Sequence, residues 1–280
     1  IGIFLLIALP AWGQVGHSED AAFLAARDAF AKGDRAKLAR ALAALKTHPL
    51  APWAIYFQLN QQLKGKDGAD AGVAEFIDHH AGTYLAEKLR GDWLKWLVER
   101  EEWDQARAQF ALMPRPDSGA VCLGIDARLR LAEDGAAADA RMLLAATDPL
   151  AESCLPPLGR LAAAHALPGD KLWERLLRQS GAGKLKEARV IAGWLPAGEA
   201  PAWKALETII EHPAQHLARL PERFAESRRG RGLAAIAVLR MQQRHRCLGP
   251  QTWCDAPGGR QFAAVAARAR RVELHEGREQ

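Results

Sequence analysis

The chain is predicted to be all-α, a superhelical α-solenoid of stacked helical hairpins. Three observations carry this. Apolar residues recur at helical spacing in run after run, and each run stops at a Gly, Pro or Asp break after about 10–15 residues. No run shows the two-residue alternation of a half-buried strand. Only 7% of residues are aromatic, and abundant alanine favours closely packed helices over a sheet. A short helical pair cannot bury its apolar face alone and must stack on its neighbours. With 280 residues and 49% apolar content, the chain has material for a sizeable core.

The elements follow in order. Residues 1–12, IGIFLLIALPAW, form an apolar run of signal-peptide length. Ala11 and Gly13 are small residues at the two positions that a signal peptidase reads, which predicts cleavage before Gln14. Residues 1–13 are therefore read as a signal-peptide remnant, starting inside its own signal without a basic leader. Twelve residues of helix reach only about 18 Å, too short for a stable membrane span. The competing reading is a buried first helix, but Ser18 and Glu19 begin a fresh amphipathic segment directly afterwards.

Residues 19–243 are expected to form one superhelical domain. Phe23, Ala26 and Phe30 share a face, and Gly33-Asp34 ends that helix and caps the next, whose stripe is Leu38, Leu42 and Leu45. A corner follows in residues 45–59, LKTHPLAPWAIYFQL, because Pro49 and Pro52 fix their own backbone angles and disfavour helix just before them. Leu85, Leu89, Trp93 and Trp96 make a longer stripe, and Trp103, Ala106 and Phe110 follow after a charged corner at residues 99–102. Further helices read at 118–132, 136–146, 153–166, 169–180, 182–194, 200–211, 214–219 and 231–243. Residues 244–280 change character: 244–260 are rich in breakers and 261–280 are helical but heavily charged. This tail reads either as a loop and terminal helix or as the product of a frameshift or truncation.

Charge is unevenly placed. Residues 1–220 hold 26 Lys+Arg against 27 Asp+Glu, whereas 221–280 hold 12 Arg, no Lys and 6 acids. A basic tail attracts nucleic acid or an anionic polymer, or is simply a solvated helical surface. The four cysteines suit an oxidising compartment. Cys122 and Cys154, in or beside two helices, are read either as a staple between successive hairpins or as two buried free thiols. A bond there would stabilise the fold by about 3–4 kcal/mol on the loop-entropy estimate.

The corner at residues 45–59 resembles the "helix, HPL-x-P-aromatic, helix" start of soluble lytic murein transglycosylases. Four further phrases resemble the family in the same order: LRGDWLKWLVEREEWDQARAQF (89–110), CLGIDARLRLAEDG (122–135), CLPPLGRLAAAHALPGDKLWERL (154–176) and GAGKLKEARVIAGWLP (181–196). The resemblance covers about residues 20–241. It implies a periplasmic protein whose N-terminal half is a U-shaped superhelix, with Cys122 and Cys154 at the positions of a family disulfide. It also implies a separate lysozyme-like domain, which cleaves the MurNAc–GlcNAc bond of peptidoglycan to a 1,6-anhydro end with one Glu as acid and then base.

That catalytic segment has no counterpart in this sequence. The family pairs Glu-Ser with a following Gly-Leu-Met-Gln and a later Ala-Tyr-Asn. Here Glu152-Ser153 and Glu226-Ser227 occur without either. A general acid needs an apolar cleft to raise its pKa, and Glu226 stands among arginines. Both pairs are read as decoys. Glu211-His212 and His216 mimic part of a zinc helix in the wrong order, with Pro213 interrupting. His245, Cys247 and Cys254 lack a convincing fourth zinc ligand, and a local disulfide or two free thiols suits the cysteines better. Gly181 to Lys184 lacks phosphate-loop spacing, His79-His80 reads as a helix C-terminal cap, and Trp93, Trp96, Trp103 and Trp173 read as core rather than as sugar platforms.

The expectation is thus the N-terminal, non-catalytic superhelical part of a periplasmic lytic transglycosylase that positions glycan or envelope partners. No catalytic residue, cofactor or metal is assigned, and neither nucleic acid nor a membrane span is expected. The alternative is a stand-alone helical-repeat scaffold for proteins of the envelope.

Overall fold

The computed structural model describes residues 14–45, 47–64, 70–146 and 149–246. The signal-peptide reading of 1–13 and the Cys247–Cys254 reading fall outside them. The described residues are helical with no strand, in two compact units, Ile1–Leu131 and Ala132–Gln280.

The first unit holds α1 (Gln14–Ala31), α2 (Arg35–Ala43), α3 (Ala51–Leu63), α4 (Asp70–His79), α5 (Tyr84–Glu99), α6 (Trp103–Ala111) and α7 (Ser118–Arg130). α1 packs on α2 and α3; α5 packs on α3, α4, α6 and α7. Side chains cap the helix starts: Asp34 accepts from the Lys37 N–H, Thr83 from Ala86 and Asp117 from Ala120. The proline corner has a second lock. His48 Nδ1 accepts the Leu50 N–H at 3.1 Å, which leaves Nε2 to donate to Asp20 at 2.9 Å, and the imidazole stacks on Phe23 at 5.8 Å. α6 and α7 touch at Gly124, where a Cβ would lie 2.2 Å from the Phe110 ring. The core holds Leu38, Leu63, Ile77, Leu89, Leu94 and Leu97, with Phe30 and Phe57 stacked at 4.6 Å.

The second unit holds α8 (Ala136–Met142), α9 (Leu155–Ala163), α10 (Gly169–Gly181), α11 (Leu185–Trp194), α12 (Trp203–Glu211), α13 (Pro213–Ala218) and α14 (Arg228–Arg246). α14 packs on α10, α12 and α13, and α9 on α8 and α11. Gly232 lets α14 approach the Trp173 ring, where a Cβ would fall 2.4 Å away.

Several helices are shorter than their periodicity predicts, and the two most shortened have a visible cause. The 136–146 segment is α-helical only to Met142 and then tightens to a 3₁₀ turn, Leu143–Ala145, whose carbonyls are taken by arginines of α10. The 153–166 segment opens as a 3₁₀ turn, Glu152–Cys154, because Pro156 and Pro157 lack the N–H that an earlier helix start would need. It stops at Ala163, where His165 turns left-handed (φ +52).

Candidate functional site

The catalytic decoys lie on the surface. Glu152 is exposed on its 3₁₀ turn, and Glu226 is exposed and paired with Arg223 at 2.6 Å. An apolar cleft around either carboxyl, the condition for a general acid at neutral pH, is not what these positions provide. The Gly181 to Lys184 segment is a helix end. Gly183 turns left-handed (φ +74), and the Gly183 and Lys184 N–H groups donate back to Ser180 and Gln179, so those amides are committed within the chain. Glu211, His212 and His216 sit at the α12–α13 corner, and no group of three or more metal-ligating side chains occurs among the described residues. Burial holds the His216 imidazole below the ordinary histidine value. His79 ends α4, and His80 packs its ring on Phe76 at 4.3 Å. Cys122, on α7, and Cys154 are both buried and both disulfide-bonded. No described helix is long and apolar enough to cross a membrane.

Of the four tryptophans, Trp93 and Trp173 are buried, and Trp96 and Trp103 are partly buried. Each buried indole N–H has a carboxylate partner: Trp93 donates to Asp70, which also holds Arg100 at 2.8 Å, and Trp173 donates to Glu199 at 2.9 Å. The Asp70 bond holds the Arg100 guanidinium above its ordinary value.

Two arrangements were not legible beforehand. The first is a wholly buried arginine in the second unit. Arg175, on α10, meets Glu187 of α11 through Nε at 2.7 Å and Nη2 at 2.6 Å. Its Nη1 donates to the carbonyls of Leu143 (3.2 Å) and Ala146 (2.7 Å), while Glu187 Oε2 accepts the Leu150 N–H. One ion pair thus ties the end of α8 and the following loop to the α10–α11 hairpin.

The second arrangement is a strip along the α3–α5 pair of the first unit. Trp53, Tyr56 and Asn60 fall on one face of α3 at i, i+3 and i+7; Tyr84, Lys88 and Asp92 fall on one face of α5 at i, i+4 and i+8. At one end, Tyr84 lies 6.3 Å from Trp53, which stands edge-on to Tyr56 at 5.8 Å. In the middle, Lys88 Nζ sits 5.6 Å from the Tyr56 ring centroid. At the other end, Asp92 Oδ2 accepts from Tyr56 Oη at 2.7 Å and from Asn60 Nδ2 at 2.9 Å. Burial first, and then the Asp92 bond, push the Tyr56 phenol far above its ordinary value, so it stays a donor. Tyr84 is 71% exposed, whereas Tyr56 is buried. The i, i+4, i+8 spacing was visible, but its pairing with the α3 stripe needed the packing of two helices.

Comparison with solved structures places this helical arrangement. The chain superposes on the 70-kDa soluble lytic transglycosylase of Escherichia coli, Slt70, with a TM-score of 0.66 and 19% identity over 90% of its length. A structure of the 70-kDa soluble lytic transglycosylase in complex with bulgecin A matches with a TM-score of 0.61 and 18% identity over 89%. This chain has the helical fold of a soluble lytic transglycosylase. It spans 39% of the length of each of those two proteins. No protein-family model matches the chain, nor does any curated protein.

Proposed function

We propose that this chain is the non-catalytic helical part of a periplasmic lytic transglycosylase, and that it holds peptidoglycan strands for a catalytic domain that cleaves them. The observation that carries the reading is the likeness to Slt70 over nine-tenths of the chain, in line with five ordered sequence phrases of that family. Bonded cysteines suit an exported protein, as does the apolar run at residues 1–12. Glu226, exposed and paired with Arg223, has none of the apolar surroundings a general acid needs, in keeping with the non-catalytic reading.

The test is co-sedimentation of the purified 280-residue chain with peptidoglycan sacculi, with the supernatant analysed for anhydro-muropeptides. Retention on the pellet without anhydro products is the expected result. Release of anhydro-muropeptides would show a catalytic centre in this chain, and failure to pellet would remove the glycan-holding role.

A further inference from the structure

We propose that the α3–α5 strip of the first unit binds an aminosugar chain bearing carboxylates, with Tyr84 as the stacking platform and Lys88 as the carboxylate's partner. The proposal rests on the glycan-holding reading above and names the surface that would perform it.

Tyr84 is the starting point. It is 71% exposed at the first position of α5, yet its ring is backed by Trp53, which is itself braced edge-on by Tyr56. A ring backed by a braced indole loses less freedom when a ligand settles on its open face than one with no neighbour. Its electron-rich face suits the slightly positive C–H face of a pyranose, and the phenol at its tip remains wet.

Lys88 supplies the charge. It lies one helical turn beyond Tyr84 on the same stripe, held over the Tyr56 ring, and no described carboxylate stands within ion-pair distance of it. Asp92, one further turn along, is occupied instead by Tyr56 and Asn60. Both of those bonds end on Oδ2 of a half-buried carboxylate, which leaves Oδ1 to accept from a sugar hydroxyl. From Tyr84 to Asp92 the strip runs about 12 Å along the helix axis, room for two linked pyranose rings.

The order of chemistry along the strip decides the ligand class. An aromatic face, then one cation, then an acceptor matches a sugar ring, a carboxylate substituent and hydroxyls in succession. A nucleic acid would need several cations to follow its phosphates, and this strip has one.

The test is isothermal titration of the 280-residue chain with two probes: peptide-free glycan oligomers of alternating MurNAc and GlcNAc, which carry carboxylates, and uncharged oligomers of GlcNAc alone. The carboxylate-bearing oligomer is expected to bind more tightly. Tyr84→Ala should weaken both probes about tenfold, and Tyr84→Trp should restore them, since only a stacking face is required. Lys88→Gln should weaken the charged oligomer alone and erase the difference between the two probes. Far-UV circular dichroism and melting temperature establish that each variant is folded, and Tyr84 is exposed enough for that to be expected.

Unchanged binding in Tyr84→Ala overturns the strip. So does a Lys88→Gln variant that still prefers the charged oligomer. If the wild-type chain and Tyr84→Ala pellet equally well with sacculi, the strip is wrong while the glycan-holding reading stands. If the wild type neither pellets nor binds oligomers, both fall. Capture of a protein through Tyr84 with no oligomer binding would reassign the surface and overturn the proposal.

Discussion

Replacing Glu187 with Ala would take a carboxylate away from Arg175, a charged guanidinium without access to solvent. Arg175 is 0% exposed and the Glu187 side chain 11%. The substitution removes two charge-assisted bonds, at 2.7 and 2.6 Å, and the acceptor for the Leu150 N–H. Breaking a buried pair by deleting one partner costs about 3–5 kcal/mol. The slight exposure of Glu187 and the carbonyls still facing Arg175 Nη1 put this case near the lower end, about 3 kcal/mol. The orphaned Leu150 amide adds about 1 kcal/mol, for a total of about 4 kcal/mol. The double variant Arg175→Met, Glu187→Met takes both charges out together and should cost only about 1–2 kcal/mol, from the orphaned Leu150 amide and the Leu143 carbonyl, since Arg178 still donates to Ala145 and Ala146. Urea unfolding followed by far-UV circular dichroism measures both. A Glu187→Ala loss below about 1 kcal/mol, or a double variant that costs the sum of its singles, would refute the claim that this pair acts as a buried unit.

Four further outcomes follow from the geometry. His165→Gly should stabilise the chain by about 0.5–1 kcal/mol in thermal unfolding, because His165 is exposed and left-handed at a helix end where glycine carries no Cβ penalty. Gly124→Ala and Gly232→Ala should each destabilise by about 1–3 kcal/mol, because the new Cβ would meet the Phe110 and Trp173 rings at 2.2 and 2.4 Å. Cys122 and Cys154 should map to one cross-linked peptide, and reduction should lower stability by about 3–4 kcal/mol in denaturant titration; free thiols at both positions would end the staple reading. Burial lowers the His216 pKa in the folded chain, so the neutral form is favoured by folding. Its contribution to stability is complete above the ordinary value of 6.5 and is lost as pH falls below it, and His216→Phe should flatten stability over that interval.

Legibility tracked the range of the physics. The corner at His48 and Pro52 could be read from the letters because proline restricts itself and its predecessor within two bonds. The helix end at Gly33 was equally plain, since glycine adopts the left-handed turn at no steric cost, whereas Gly183, inside the predicted helix 182–194, makes the same turn before α11 starts at Leu185. The ends at Glu101 and His165 make the same turn without glycine, and there the back-donated amides of Glu102 and Ala166 impose it. Periodicity carries the helix 136–146 four residues past its end at Met142, because its stop comes from α10, about thirty residues away.

By itself, the sequence determined that the described chain is helical and where most of its helices break, because periodicity, prolines and side-chain caps act over a few residues. It also determined that Trp93 and Trp173 belong to the core. Only the tertiary structure decided which polar groups are buried, and with what. Nothing in KLWERLLRQ, residues 171–179, marks Arg175 as buried until Glu187 and three carbonyl groups close around it. Nothing in the letters singles out Tyr84; its exposure beside Trp53, Lys88 and Asp92 comes from packing. Helix formation is local, whereas desolvating a charge or presenting an aromatic face depends on neighbours that only packing brings together.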